Sequence, residues 1–321
     1  MDVFIPILLL VFGMVLLIKG ADFFVDGASN IAKALRIPTL IIGLTLVSIG
    51  TSAPEFAVSL NASINSENEI SFGNIVGSNI FNTFVVIGVS AIITPLAVSK
   101  NVRKFDIPIL LGIYGLLILF GFVSSPNIIN LWESIIIFSL TIVYTIFLIL
   151  REKKEHQPEE DEKENEKKKP WWLNLIFVAV GLTGIIWGGD LVVDNAVILA
   201  EKLHISEEII GLTIVAIGTS LPELVTSIVA ARKGENDIAV GNAIGSNIFN
   251  IILILGFCSI LAPAVVTDSS LLDVIVALFS GIVVFVFAFK SYKINRWQGI
   301  VMVSLYALYL TFLVLRELSI F

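Results

Sequence analysis

Gly50-Thr51-Ser52-Ala53-Pro54-Glu55 sits inside the apolar run PTLIIGLTLVSIGTSAPEFAVSL (38–60), and the phrase returns as Gly218-Thr219-Ser220-Leu221-Pro222-Glu223. A helix breaker and an acid both cost free energy within an apolar segment, so their recurrence needs a reason beyond packing. The two copies are 168 residues apart, and sliding the chain by that amount aligns Gly20–Pro95 with Gly188–Pro263 without a gap. The alignment holds 36 identities in 76 positions, including GNIVGSNIFN (73–82) over GNAIGSNIFN (241–250). Apolar composition alone yields scattered Leu, Ile and Val matches. Identical Gly, Pro, Asn, Ser and Glu mark an internal duplication.

The 321 residues are 56% hydrophobic and only 15% charged, with a mean hydropathy of +0.95. That is too little charge to cover a soluble surface, and it predicts an all-α polytopic membrane protein. Runs long enough to cross a hydrocarbon core of about 30 Å fall at 3–25, 38–63, 71–96, 105–123, 128–150, 172–194, 206–231, 238–263, 271–289 and 298–316. These make about ten transmembrane helices, five on each side of REKKEHQPEEDEKENEKKKP (151–170). That block mixes both signs without apolar periodicity and reads as a solvated linker. The chain therefore divides into a first half (1–150), a linker (151–170) and a second half (171–321). An odd number of spans per half makes the second copy enter the membrane from the opposite side, as two inverted five-helix repeats.

The start, MDVFIPILLL, lacks the positive n-region of a signal peptide, so its apolar run reads as the first span. With the N-terminus outside, 17 of the 20 basic residues fall on the cytoplasmic side, leaving Lys202 and Arg316 outside and Lys19 within a span. The positive-inside rule then places both termini outside and the linker in the cytoplasm. The single Cys258 excludes an internal disulfide, and His156 and His204 lie in polar stretches, so no zinc or haem site is expected. No phosphate-binding loop, nucleotide-binding domain or nucleophile–base constellation is visible, which argues against ATP as the energy source and against an enzyme.

The chemistry lies in the duplicated motifs. Pro54 offers no N–H to the carbonyl of Gly50, nor Pro222 to that of Gly218, and freed carbonyls at membrane depth must be buried in protein or face a wet cavity. Thr51 and Ser52 precede Glu55 by four and three residues, so both hydroxyls can share the carboxylate's face, with Ser48 seven residues before it on the same side. Thr219, Ser220 and Glu223 repeat the pattern, with Ala216 supplying only its backbone carbonyl. A carboxylate at the bilayer centre costs about 2.5–3.5 kcal/mol and needs a cation, a proton or a basic partner. Ser78 and Asn82, like Ser246 and Asn250, add neutral oxygens at i, i+4, while Gly73/Gly77 and Gly241/Gly245 let helices approach closely.

Asn74, Asn79, Asn242 and Asn247 read as packing or capping residues, and Asp22/Asp26 and Asp190/Asp194 as solvated or capping ones. Glu133, without a counterpart in the second half, is assigned to an outer boundary, and Trp171, Trp172 and Trp297 to interfacial anchoring. Two bent helices and two partners thus predict an all-oxygen cage with two negative charges. Oxygen ligands without thiolate or imidazole favour Ca²⁺ or Na⁺ over zinc or copper. One Ca²⁺ or two Na⁺ would balance the charge.

These residues resemble the α-repeats of the calcium/cation antiporter superfamily, most closely those of prokaryotic sodium/calcium exchangers. The resemblance implies a secondary antiporter of the plasma membrane that exchanges Na⁺ for Ca²⁺, with the first and sixth spans sliding across the core. It implies Glu55 and Glu223 as main cation ligands, roles for Thr51, Ser52, Ser78, Asn82, Thr219, Ser220, Ser246 and Asn250, and backbone help at Ser48 and Ala216. Some prokaryotic members carry Asp where this chain has Asn250, which makes this site more symmetric. The linker is too short for the calcium-sensing domains of animal exchangers, and the acidic motif of the cation/proton branch is absent. H⁺/Ca²⁺ or K⁺-dependent exchange is the competing reading, and a passive channel or sensor the competitor from another class. The expected partners are Ca²⁺, Na⁺ and the lipid bilayer, with no resident cofactor, no nucleic acid and no obligatory protein partner.

Overall fold

The computed structural model describes residues 4–35, 37–65, 67–124, 127–155, 171–203 and 216–317. They form α1 (Phe4–Leu35), α2 (Thr39–Thr51), α3 (Ala53–Ile64), α4 (Asn68–Ile93), α5 (Val102–Ser124), α6 (Leu131–Glu155) and α7 (Trp171–Lys202). After a short α8 (Ala216–Gly218) come α9 (Leu221–Arg232), α10 (Asn236–Leu261), α11 (Asp268–Ser291) and α12 (Arg296–Glu317). Among the described residues, eight helices are long and apolar enough to cross a membrane, or nine if the bent pair α2–α3 counts as one span. The remaining expected run, 206–231, falls partly on residues 204–215, outside the described residues; α8 and α9 are its described part.

The apolar run 38–63 is two helices meeting at 48°. Ser52 leaves helical geometry at φ −81°, ψ 11°, and Pro54 then occupies the first turn of α3, where its missing N–H has no intrahelical partner to lose. Ser220 repeats the break at φ −93°, ψ 6°, ahead of Pro222 in α9. The breaks lie against α4 and α10, which are largely buried, whereas α1, α6, α7 and α12 expose apolar side chains such as Phe4, Trp132, Trp187 and Leu308.

α1 and α7 pack antiparallel along glycines. A Cβ at Gly181 would lie 2.5 Å from the backbone nitrogen of Phe24, and one at Gly20 would lie 2.7 Å from that of Ile185. Glycine permits such backbone contact in a membrane, where small residues at the interface replace the hydrophobic drive.

Four short strands relate the halves. β1 (Leu96–Ala97) pairs antiparallel with β4 (Lys293–Ile294), and β2 (Ile128–Ile129) with β3 (Ala264–Val265). The two pairs lie at opposite ends of α5, whose 23 residues span about 34 Å at helical rise. Beyond the first alignment the duplication continues at an offset of 165, pairing Asn130 with Asn295, Tyr144 with Tyr309, Phe147 with Phe312 and Arg151 with Arg316. Glu133, read above as lacking a counterpart, matches Gln298. Glu133 Oε2 accepts from the N–H of Asn130 at 2.9 Å, and Gln298 Oε1 accepts from that of Asn295 at 2.8 Å. Both cap a helix start. A three-residue change of offset hid the match.

Candidate cation site

Glu55 and Glu223 are both fully buried, each one turn into the helix that follows its break. Their serine partners cross over. Ser52 Oγ donates to Glu223 Oε1 at 2.9 Å, and Ser220 Oγ donates to Glu55 Oε1 at 2.9 Å. The expectation that Ser52 and Thr51 serve Glu55 of their own helix assumed helical continuity; the break at Ser52 sends its hydroxyl to the other half, and Thr51 Oγ1, within 3.1 Å of the Val47 carbonyl of its own helix, also reaches across. Thr51 Oγ1 donates to Asn242 Oδ1 at 2.9 Å. Ser246 Oγ lies 3.3 Å from the carbonyl of Ser48 and 3.5 Å from Glu223 Oε1, so the backbone of Ser48 does join the cluster.

Asn74 and Asn242, read above as packing or caps, support the carboxylate residues from below. Asn74 Nδ2 donates to the Glu55 carbonyl at 3.2 Å and to Ser59 Oγ at 2.9 Å. Asn242 Nδ2 does the same to the Glu223 carbonyl at 3.3 Å and to Ser227 Oγ at 3.0 Å. The serine–glutamate and asparagine contacts each have a counterpart 168 residues along the chain, whereas those of Thr51 and Ser246 are made in one copy only.

Among the described residues, several polar atoms of the cluster are buried without a hydrogen-bond partner: Glu55 Oε2, Glu223 Oε2, Ser78 Oγ, Thr219 Oγ1, Asn250 Oδ1 and both amide atoms of Asn82. Buried polar groups are paired in the great majority of cases, so this concentration of unpartnered atoms, all but one of them oxygens, needs something to satisfy it. Lys19 does not; it is exposed and lies 3.7 Å from Asp22. Two carboxylates and several neutral oxygens form a donor set for a hard cation. No group of three or more His, Cys, Asp or Glu side chains converges among the described residues.

Helical irregularities frame the cluster. A π-helical turn begins at Asn82 (Asn82–Val86), another at Asn250 (Asn250–Leu255), and a third (Gly43–Val47) precedes Ser48. Such turns occur often at functional sites, and no apolar periodicity signals them. The G-x-x-x-G approach is realised at Gly241 and Gly245, where a Cβ would come within 3.1 Å of Gly43 C and 2.7 Å of the Leu44 carbonyl oxygen. At Gly73 and Gly77 no described atom lies within 4 Å of an added Cβ. Gly211, the counterpart of Gly43, is outside the described residues. Asp22 and Asp26, expected to be solvated or capping, pair with Lys233 at 3.4 and 2.8 Å and tie α1 to the turn between α9 and α10.

The family model described as "Sodium/calcium exchanger protein" matches residues 5–150 and 173–315. The chain belongs to the sodium/calcium exchanger protein family. Other members resemble it over most of their length. Inner membrane protein YrbG of Escherichia coli is 38% identical over 261 residues, 79% of either chain. Sodium/calcium exchanger MaX1 of Methanosarcina acetivorans is 34% identical, covering 95% of this chain and 97% of its own. The solved structure of the sodium-calcium exchanger NCX_Mj soaked with zero Na⁺ and Ca²⁺ matches with a TM-score of 0.83 and 32% identity, over 97% of this chain and all of that one. Membership makes the chain an integral membrane transporter, and in this exchanger-family fold the bare oxygens fall on the motifs the halves share.

Proposed function

We propose that the chain exchanges Na⁺ for Ca²⁺ across the plasma membrane by alternating access. The observation that carries this reading is the pair of fully buried carboxylates, each holding a serine from the other half on Oε1 and leaving Oε2 bare. Two negative charges accept one Ca²⁺ or two Na⁺, so the ions exclude one another by charge, and mutual exclusion is what exchange requires. Glu55 and Glu223 are the charged ligands. Thr51, Ser52, Ser78, Asn82, Thr219, Ser220, Ser246 and Asn250, with the carbonyls of Ser48 and Ala216, supply or position neutral oxygens.

The architecture behind this is ten spans in two inverted halves, 1–150 and 171–321, with both termini outside and the linker 151–170 cytoplasmic. The counterpart strand pairs at opposite ends of α5 support the inversion, because a duplication that exchanges the faces of the membrane gives the two gates the same construction. The test is uptake of radioactive Ca²⁺ by proteoliposomes loaded with Na⁺ and diluted into Na⁺-free or Na⁺-matched buffer at equal pH. Uptake that appears only with the outward Na⁺ gradient is expected. Uptake indifferent to Na⁺ and driven by a pH or K⁺ gradient would replace the coupling ion.

A further inference from the structure

We infer that Asn79 is a positioning residue that fixes the amide of Asn250, and that Thr83 leaves the equivalent ligand, Asn82, free to turn. The inference rests on the cage being the cation site proposed above. Its basis is an amide cluster where α4 meets α10. Asn79 Nδ2 donates to the carbonyl of Asn247 at 3.0 Å, and Asn247 Nδ2 donates to the carbonyl of Asn79 at 3.2 Å. A carbonyl oxygen can only accept, so the amide end facing it must be the NH₂ in both residues. Oxygen and nitrogen of an Asn amide look alike, and here the network assigns them.

The assignment then propagates. Asn79 Oδ1 is left to accept, and the amide of Asn250 meets it at 3.1 Å. Two oxygens without a proton between them repel, so Asn250 presents Nδ2 to Asn79. Its Oδ1 lies on the other side of the same planar group, fully buried and without a partner. It stands one turn beyond Ser246, whose hydroxyl is 3.5 Å from Glu223 Oε1. A neutral side chain that could present either atom is thereby held with its oxygen bare.

The symmetric bond, from Asn82 Nδ2 to Asn247 Oδ1, is missing, and both of those atoms are buried and unpartnered. One substitution between the repeats accounts for this. Thr83 Oγ1 donates its proton to the Asn79 carbonyl at 2.8 Å, so it accepts from Asn247 Nδ2 at 2.7 Å. This second hold on the Asn247 NH₂ turns Oδ1 away from Asn82. The position equivalent to Thr83 is Ile251, which offers no oxygen to Asn79. The two neutral amides of the cage therefore differ: Asn250 is preorganised, and Asn82 meets a cation by turning its amide.

The test is equilibrium binding of radioactive Ca²⁺ to the purified full chain in lipid nanodiscs, with folding followed by thermal unfolding. Asn79→Leu and Asn250→Ala are each expected to weaken binding about tenfold, the loss of one well-placed polar contact, and the double variant to weaken it no further than either single one. Asn79→Leu and Asn82→Ala should instead combine independently. Thr83→Ile copies the other repeat, frees Asn247 Oδ1 to take Asn82 Nδ2, and should tighten binding, a direction that a packing lesion does not produce. Multiplying penalties for Asn79→Leu with Asn250→Ala, or weaker binding in Thr83→Ile, overturns the inference. Should Asn79→Leu fail to fold, Thr83→Ile decides alone. Retained Ca²⁺ binding in Glu55→Gln would instead remove the cation cage itself, so the two failures are distinguishable.

Discussion

Ser52 and Glu223 are 171 residues apart in the chain and joined by a hydrogen bond of 2.9 Å. Ser220 and Glu55 make the same bond at the same length. Each carboxylate is thus oriented by a hydroxyl from the other half. A shift of one break would therefore disturb the carboxylate of the opposite half.

Equal contributions from the two serines follow. Among the described residues, Ser52→Ala leaves Glu223 Oε1 with the 3.5 Å contact from Ser246, and Ser220→Ala removes the bonded hydroxyl from Glu55 Oε1. Hydrogen bonds to charged groups contribute about 1.5–3 kcal/mol, so each variant should weaken Ca²⁺ binding by roughly one to two orders of magnitude. The measurement is a Ca²⁺ titration of each variant in nanodiscs. A large effect from one serine and none from the other would break the two-fold account.

The carboxylates should show the opposite sign in stability and in function. Glu55→Gln and Glu223→Gln each replace a buried charge by a neutral amide, which removes a burial cost of about 2.5–3.5 kcal/mol on insertion scales. The ion-free variants should therefore melt no lower than the parent chain. Saturating Ca²⁺ stabilises the parent by about 2.7 kcal/mol at one hundred times its Kd, and this increment should vanish in the variants together with exchange. Thermal scans with and without Ca²⁺ check both halves of the statement. Robust Ca²⁺ transport by either variant would remove the two-carboxylate cage.

What could be read from the chain, and what could not, divides along a physical line. The duplicated breaks at Pro54 and Pro222, the buried acids and the neutral oxygens at i, i+4 were legible because each is a local cost that a membrane segment carries only for a reason. The crossing of Ser52 to Glu223 was not, because helix periodicity assumes the very continuity that Ser52 interrupts. Asn79 and Asn247 read as packing because their partners are backbone carbonyls on another helix. The match of Glu133 with Gln298 was hidden by a change of offset in the repeat.

The glycines between α1 and α7 give a prediction with an internal control. Gly20→Ala and Gly181→Ala each place a Cβ within 2.7 Å of a backbone nitrogen on the facing helix, which cannot give way without separating the pair. Overpacking of this kind costs about 1–3 kcal/mol or more, and folded yield and transport should both fall. Gly112→Ala, with no described atom within 4 Å of its added Cβ, should be neutral or slightly stabilising. Comparable losses at all three positions would mean that contact between α1 and α7 is not the cause.

Asp106, Tyr144 and Arg151 form a buried triad joining α5 to α6, with Arg151 Nη1 at 3.0 and 3.2 Å from the two carboxylate oxygens and Tyr144 Oη donating at 3.1 Å. Asp273, Tyr309 and Arg316 repeat it between α11 and α12, with Tyr309 Oη donating to Asp273 Oδ1 at 2.9 Å and Arg316 Nη1 at 3.5 Å. The copies differ in burial: the first ion pair is 6% and 0% exposed, the second 32% and 20%. Removing one partner of a buried pair leaves an uncompensated charge and costs about 3–5 kcal/mol, whereas replacing both by apolar groups is often neutral. Arg151→Met should therefore destabilise the chain severely, and Asp106→Leu combined with Arg151→Met should recover most of the loss. Arg316→Met should cost far less, because the abandoned carboxylate of Asp273 is partly exposed rather than fully buried. Thermal unfolding of the four proteins tests this ordering, and an equal loss from Arg151→Met and Arg316→Met would show that burial does not set the cost.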